Sequence, residues 1–237
     1  LTILEMFRQQ EYTVSAVELQ GAGGGKNHRL IDCTNTLTVR GILNTGSFYE
    51  TVLFGRAGAG IGILAVHRLD VKRIAHDFLW KFHERTKIST YLTIPCGNRV
   101  CVVDRVVSDS TGRLSSVFVG EYIRCFVGKQ SVLLAFASSQ FQSNYLNSLE
   151  LAEEEKAQLK EDLKDARARG YDITHKAEEG LFAVGFPIYN SANQLVAGLS
   201  VGGVDDSERP DVVEKYIQQG VNWHVEINNQ MGSNYYQ

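Results

Sequence analysis

The sequence predicts an α+β chain of 237 residues, and three observations carry that reading. From Leu1 to Gly55 the order is helix, helix, turn, helix and short hairpin. From Ser89 onward β-rich runs dominate, with helical runs between and after them. Near the C-terminus, Leu181–Tyr189 and Gln194–Val201 flank the tetrapeptide Asn190-Ser191-Ala192-Asn193, a hairpin by composition and by turn chemistry.

Taken in order, residues 1–10 put Ile3, Leu4 and Phe7 on one helical face. Thr13 is placed to cap a second helix, Val14–Gln20, which the glycine-rich run 21–25 ends. A third helix spans Lys26 to Val39, with Leu30, Cys33, Thr34 and Leu37 at helical spacing and Arg40-Gly41 closing it. Ile42–Phe54 reads as two short strands around Asn44-Thr45-Gly46-Ser47. That order is the order of a winged helix-turn-helix over 1–55. Residues 56–68, with RAGAGIGILAVH, form a connecting helix whose apolar Ile61–Val66 segment needs a packing partner.

The remainder, 69–237, forms the second domain. Asp70 caps the amphipathic helix Val71–Thr86, whose apolar stripe is Val71, Ile74, Ala75, Phe78, Leu79 and Phe82. Ser89–Ile94 and Val100–Val107 make a hairpin about Cys96-Gly97-Asn98. Leu114–Val119 is a further strand and 120–124 a loop. Phe126–Ala137 reads as a buried helix, and Ala152–Arg169 as a charged, solvated one stopped by Gly170. The strand Tyr171–Thr174, the hairpin and a last helix from Pro210 to about Asn228 complete the domain.

The hairpin's second strand alternates informatively. Leu195, Ala197, Leu199 and Val201 share one face; Val196, Gly198, Ser200 and Gly202 share the other. A face of glycine, serine and glycine cannot fill the space above it. A packed helix or a small ligand must do so.

Composition excludes several classes of function. Hydrophobic content of 43% and charged content of 22% are those of an ordinary globular protein. A net charge of −3 gives no overall pull toward nucleic acid. No apolar run approaches the ~20 residues of a membrane helix. The opening LTILEMFRQQ lacks the basic start and cleavage site of a secretory leader, so a cytoplasmic protein is expected. Cys33, Cys96, Cys101 and Cys125 form no CxxC and the six histidines are scattered, so no metal site or cofactor is expected. Gly21–Lys26 lacks the hydroxyl residue and preceding strand of a phosphate loop. No nucleophile–base pair or paired carboxylates can be assembled, which argues against an enzyme. Asp104-Arg105 reads as a strand-end surface pair, and Cys125 beside Arg124 as a buried thiol.

Several landmarks, in order and spacing, carry a resemblance: LTILEMF, Ser15–Leu19, LTVRGIL (37–43), Leu69–Lys87, VVDRV (102–106), Gly128-Lys129, ARARGY (166–171) and Leu199-Ser200-Val201. Together they resemble the IclR family of transcriptional regulators across nearly the whole chain. The resemblance implies an N-terminal winged helix that binds double-stranded operator DNA. It also implies a C-terminal GAF-like domain with flanking helices that binds a small organic effector, aromatic or carboxylate-bearing, and assembly as a homodimer or tetramer. Carried over position by position, the effector-binding residues are Leu114, Phe126, Val127, Thr174, His175, Ala183, Ser200 and Gly202. Ala183 replaces a common cysteine, Gly202 a serine, and no carboxylate stands at 174 or 175. Each departure removes polarity and favours a larger or more apolar ligand over a small keto acid.

On the DNA side the reading helix begins with Lys26, Asn27, His28 and Arg29, where the family usually has Pro-Lys-Ser-Thr. These four are the candidate contacts to phosphates and bases. Between Leu1 and Gly60 the chain carries five basic side chains (Arg8, Lys26, Arg29, Arg40, Arg56) and five acidic ones (Glu5, Glu11, Glu18, Asp32, Glu50). So even a balance is a poor electrostatic footprint for DNA. Two functions therefore stand at this point. One is an effector-responsive DNA-binding regulator, a repressor of a catabolic operon. The other is a GAF-like ligand-binding or interaction protein whose winged helix serves assembly only.

Overall fold

The computed structural model describes residues 13–15, 18, 28–45, 51–107, 117–124, 132–176, 181–204 and 210–233. The chain divides into two compact units, Leu1–Leu69 and Asp70–Gln237.

The first unit contains β1 (Thr13–Ser15), α1 (His28–Val39), β2 (Leu43–Thr45), β3 (Thr51–Phe54) and α2 (Arg56–His67). The strands form a small antiparallel sheet in the order β1-β3-β2. Here the sequence reading needs correction: Thr13 does not cap a helix but lies in a strand. The β-branched pair Thr13-Val14 suits a strand, and Val14 is fully buried opposite Val52. The helical start falls instead at Ser15. The Glu18 amide donates to Ser15 Oγ at 3.1 Å and the Ser15 amide donates to Glu18 Oε2 at 2.9 Å, a reciprocal capping box. The expected helix over 1–10 and the apolar positions Val17 and Leu19 lie outside the described residues. Helix α1 ends where expected, with Gly41 in the left-handed region at φ 68°. Helix α2 buries none of its residues, and Ile61, Ile63 and Leu64 are each more than half exposed.

The second unit is built on a six-stranded antiparallel sheet. Its elements in chain order are α3 (Asp70–Thr86), β4 (Ser89–Cys96), β5 (Arg99–Val106), β6 (Tyr122–Arg124), α4 (Val132–Ala135), α5 (Ser139–Asn147), α6 (Glu153–Arg169), β7 (Asp172–Lys176), β8 (Leu181–Tyr189), β9 (Leu195–Val204) and α7 (Pro210–Gln230). The strand order is β6-β5-β4-β9-β8-β7. The hairpin β8–β9 supplies two inner strands, and its turn sits at Asn190–Asn193 with Asn193 at φ 55°.

One face of this sheet is covered by α3 and α7. Trp223 of α7 sits between Phe78 and Phe82 of α3, with ring centroids 6.2 and 5.1 Å away. Phe182 and Phe186 of β8 stack on Tyr216 and His224 of α7. Asn228 joins α7 to the end of β8, accepting from the Tyr189 amide at 2.6 Å and donating to Pro187 O at 3.1 Å. The other face carries α4, with α5 and α6 completing a cluster of Val100, Leu133, Tyr145, Leu146, Leu159 and Leu163. Carbonyls at the end of α4 are taken up by side chains from its neighbours. Arg167 of α6 donates to Ala135 O and Ala137 O, and Gln142 of α5 to Leu134 O and Ala135 O.

Two further expectations are corrected. Val117 and Phe118 lie in no strand, and the edge strand falls at Tyr122–Arg124, within the expected loop. Register explains it: Ile123 pairs with Val100 and packs on the α4–α6 cluster. Helix α5 has no counterpart in the sequence reading. Ser138 caps it by accepting from the Phe141 amide at 3.2 Å, and Phe141 stacks on Tyr145 one turn on.

Candidate functional site

The sheet register lays the sequence's candidate residues out in rows. Antiparallel partners lie side by side on one face. Gly202 pairs with Ser89 on one side and Ala183 on the other, and Ala183 pairs in turn with position 174. The neighbouring row is Arg105, Tyr91, Ser200, Gly185 and Asp172, one residue from each of β5, β4, β9, β8 and β7. A third row holds Thr93, Gly198 and Pro187. Ala183, Ser200 and Gly202 thus meet on the sheet face that carries α4. Position 175 pairs with Phe182.

The two explanations of the small-residue face divide along its length. At Gly198 a Cβ would come within 2.8 Å of Val132 Cγ1, and at Gly185 within 2.7 Å of Val132 Cβ. There the glycines admit a helix, and α4 fills the space. At Gly202 the nearest atoms to a Cβ, among the described residues, are Phe182 O at 3.0 Å and Ala183 Cβ at 3.5 Å. Both belong to the neighbouring strand and neither to a covering helix. The end of the face that α4 does not fill therefore lies around Gly202, Ala183 and Ser200.

Polar side chains gather at that end. Ser89 is fully buried, Tyr91 is 4% exposed and Ser200 is 5% exposed. Burial pushes the Tyr91 phenol above its ordinary range, opposed by a hydrogen bond with Ser89 and by the charge of Arg105. The Arg105 guanidinium lies 4.8 Å from the centroid of the Phe118 ring and donates to Val117 O. Its neighbour in sequence faces the other way: Asp104 is 7% exposed, and its Oδ2 lies 2.8 Å from His76 Nδ1 of α3. The pair Asp104-Arg105 is therefore not a surface pair. Its members are sent to opposite faces by the strand's alternation.

Sequence reasoning missed Ser89, Tyr91 and Arg105. The alternation of Ser89, Tyr91 and Thr93 with Thr90 and Leu92 is visible in the sequence, but the pairing of β4 beside β9 is not. Of the other candidates, Leu114, Phe126, Val127, Lys26 and Asn27 lie outside the described residues, as does Cys125. His28 and Arg29 are the first two residues of α1.

The described residues also outline two open clefts of about 390 and 280 Å³ at the tip of the β4–β5 hairpin. They share Arg99, and none of the described candidate residues lines them. Among the described residues, no group of three His, Cys, Asp or Glu side chains is placed to hold a metal ion, and no helix is long and apolar enough to cross a membrane.

The family model "Bacterial transcriptional regulator IclR C-terminal" matches residues 63–219. The chain belongs to the IclR family. Solved structures share its fold. The IclR of Thermotoga maritima is 23% identical with a TM-score of 0.65, covering 97% of this chain and 96% of that one. An ICLR regulator from Silicibacter sp. TM1040 is 14% identical with a TM-score of 0.83, covering 98% and 94%. An IclR homolog from Microbacterium hydrocarbonoxydans, complexed with 4-hydroxybenzoate, is 16% identical with a TM-score of 0.72, covering 97% and 96%. No curated protein matches the chain. As an IclR-family member the protein is a transcriptional regulator with a C-terminal effector-binding domain.

Proposed function

We propose that the protein is a cytoplasmic repressor of a catabolic operon, released or retained on operator DNA by a small organic effector. The observation that carries this reading is the division of one sheet face. Helix α4 fills it at Gly198 and Gly185, while at Gly202, among the described residues, only the neighbouring strand comes near. The effector lies over the end bearing Ser200, Gly202 and Ala183, beside Thr174, with Leu114, Phe126 and Val127 completing the pocket. The solved relative that holds 4-hydroxybenzoate supports an aromatic ligand of this kind. Lys26, Asn27, His28 and Arg29 read the operator, and the assembly is a homodimer or a pair of dimers.

A second reading has its own support. Five basic and five acidic side chains between Leu1 and Gly60 favour a winged helix that serves assembly without binding DNA. A gel-shift assay with DNA upstream of the protein's own gene separates the two. Retardation by low protein concentrations, altered by a metabolite found in a thermal-shift screen, is the expected result. Ligand binding without any retardation at low salt would replace the regulator reading with the second one.

A further inference from the structure

Two thiols meet near the tip of the β4–β5 hairpin. Cys101 of β5 pairs with Ile94 of β4, and Cys96 follows Ile94 by two residues. Both cysteines therefore stand on one face, diagonally across the ladder. Their side chains share a hydrogen bond. Their surroundings differ. Cys101 is 8% exposed, whereas Cys96, next to the turn, is half-buried and reached by solvent. The hydrogen bond with Cys96, then burial, then the charge of Cys96 push the Cys101 thiol up. Cys101 thus keeps its proton and donates it to the sulfur of Cys96. The sulfur that accepts a hydrogen bond and meets solvent is the one placed to attack an oxidant.

We infer that Cys96 and Cys101 form a reversible peroxide-responsive pair that closes to a disulfide across the hairpin. The Cys96 thiolate attacks one oxygen of a hydroperoxide, the O–O bond breaks, and the departing oxygen takes up a proton to leave as an alcohol or water. Cys96 is then a sulfenic acid. With its charge gone, the influence that held the proton on Cys101 is lifted. The Cys101 sulfur attacks the Cys96 sulfur, the S–O bond breaks, and the Cys101 proton leaves with the hydroxyl as water. The two sulfurs together give up the two electrons that the peroxide receives. Diagonal neighbours on a ladder stand about 7–8 Å apart, and disulfides usually span about 4.4–6.8 Å between Cα atoms. Closing the bond therefore pulls on the hairpin and leaves a strained bridge, which is readily reduced. Pro95, Gly97 and Arg99, beside the pair, line the cleft of about 280 Å³, so closure also reshapes that cleft.

The test is a non-reducing tryptic digest of the whole protein after treatment with hydrogen peroxide or cumene hydroperoxide. Trypsin cuts after Lys87, Arg99 and Arg105, so Cys96 and Cys101 fall in separate peptides, 88–99 and 100–105. The expected product is these two peptides joined, and reduced glutathione should part them again. Cys96→Ser should slow the oxidation of Cys101 by roughly tenfold or more. Cys101→Ser should leave Cys96 as a sulfenic acid that dimedone traps; if that variant does not fold, Cys101→Val takes its place, and the wild-type digest decides in either case. Hydrogen exchange at residues 95–99 should change on oxidation and return on reduction. Peptides that stay apart, or that join Cys33 or Cys125 instead, overturn the inference. So do a bridge that reduced glutathione leaves intact, undiminished oxidation of Cys101 in Cys96→Ser, and exchange at 95–99 that oxidation does not alter.

Discussion

Ser200 and Gly202 sit two residues apart on β9, yet their roles in the proposed pocket differ. Ser200 brings a buried hydroxyl into the row of Tyr91 and Arg105, and Ser200→Ala should weaken effector binding by about 0.5–1.5 kcal/mol, the net worth of one hydrogen bond. Gly202 brings room. Gly202→Leu should abolish binding, but a Cβ there already lies 3.0 Å from Phe182 O, so the hairpin must yield slightly as well. Gly202→Ala is the milder probe, and calorimetry beside a melting curve separates lost volume from lost fold. A folded leucine variant with wild-type affinity would place the ligand elsewhere. His224 gives a second residue-scale prediction. It is 3% exposed, stacked on Phe186, and burial lowers its pKa to about 4, against opposing hydrogen bonds with Val221 and Gly220. Below about pH 6.5 the unfolded chain takes up a proton that the folded chain refuses. The stability that neutral His224 contributes is therefore complete above pH 6.5 and is lost as pH falls toward 4, about 3 kcal/mol across the window. His224→Phe should flatten the urea midpoint between pH 7 and pH 4. A variant as pH-sensitive as the wild type would clear His224 of that role.

Helix α4 is the element on which the site depends. Over Val132–Ala135, Arg167 and Gln142 take up its terminal carbonyls, and Gly185 and Gly198 let Val132 approach the sheet. Gly198→Ala should force Val132 aside and cost roughly 1–3 kcal/mol, as overpacking does. Val132→Ala in the same chain should recover part of that loss. Additive losses in a double-mutant cycle would show that the two do not press on each other. This contact also marks the limit of the sequence. The alternation of Gly198, Ser200 and Gly202 on one strand face is legible, because a period of two survives any tertiary context. Which glycine serves a helix and which stands clear is not, because that depends on where Val132 lands. Ser15 and Thr13 show the same limit locally. Both are capping residues by type, and only the pairing of Val14 with Val52 makes Thr13–Ser15 a strand and hands the cap to Ser15. Arg105 escapes the sequence for a related reason: adjacent residues on a strand face opposite ways, and a charged pair in sequence is no pair in space.

At the scale of the whole molecule, the proposed regulator asks a first domain with balanced charge to hold an operator. With five cations against five anions between Leu1 and Gly60, one copy has little non-specific attraction to DNA. Two linked copies change the arithmetic, because the second half-site binds at the effective concentration set by the first, a gain on the order of 10²–10⁴ for tethered sites. Helix α2 is suited to make that link. Its Ile61, Ile63 and Leu64 are each more than half exposed and none of its residues is buried, although its sequence is apolar. An isolated 12-residue helix with glycines at 58, 60 and 62 is marginal alone and gains from an isologous partner. Leu64→Glu would put an unpaired charge into such an interface. Sedimentation should show the variant as a monomer at concentrations where the wild type is a dimer or larger. Operator affinity should fall at least a hundredfold in the same variant, and effector binding by the separate unit Asp70–Gln237 should be unchanged. A variant that still sediments as a dimer would remove α2 from the interface. One that becomes monomeric yet holds the operator as tightly as the wild type would show that avidity is not what secures the DNA.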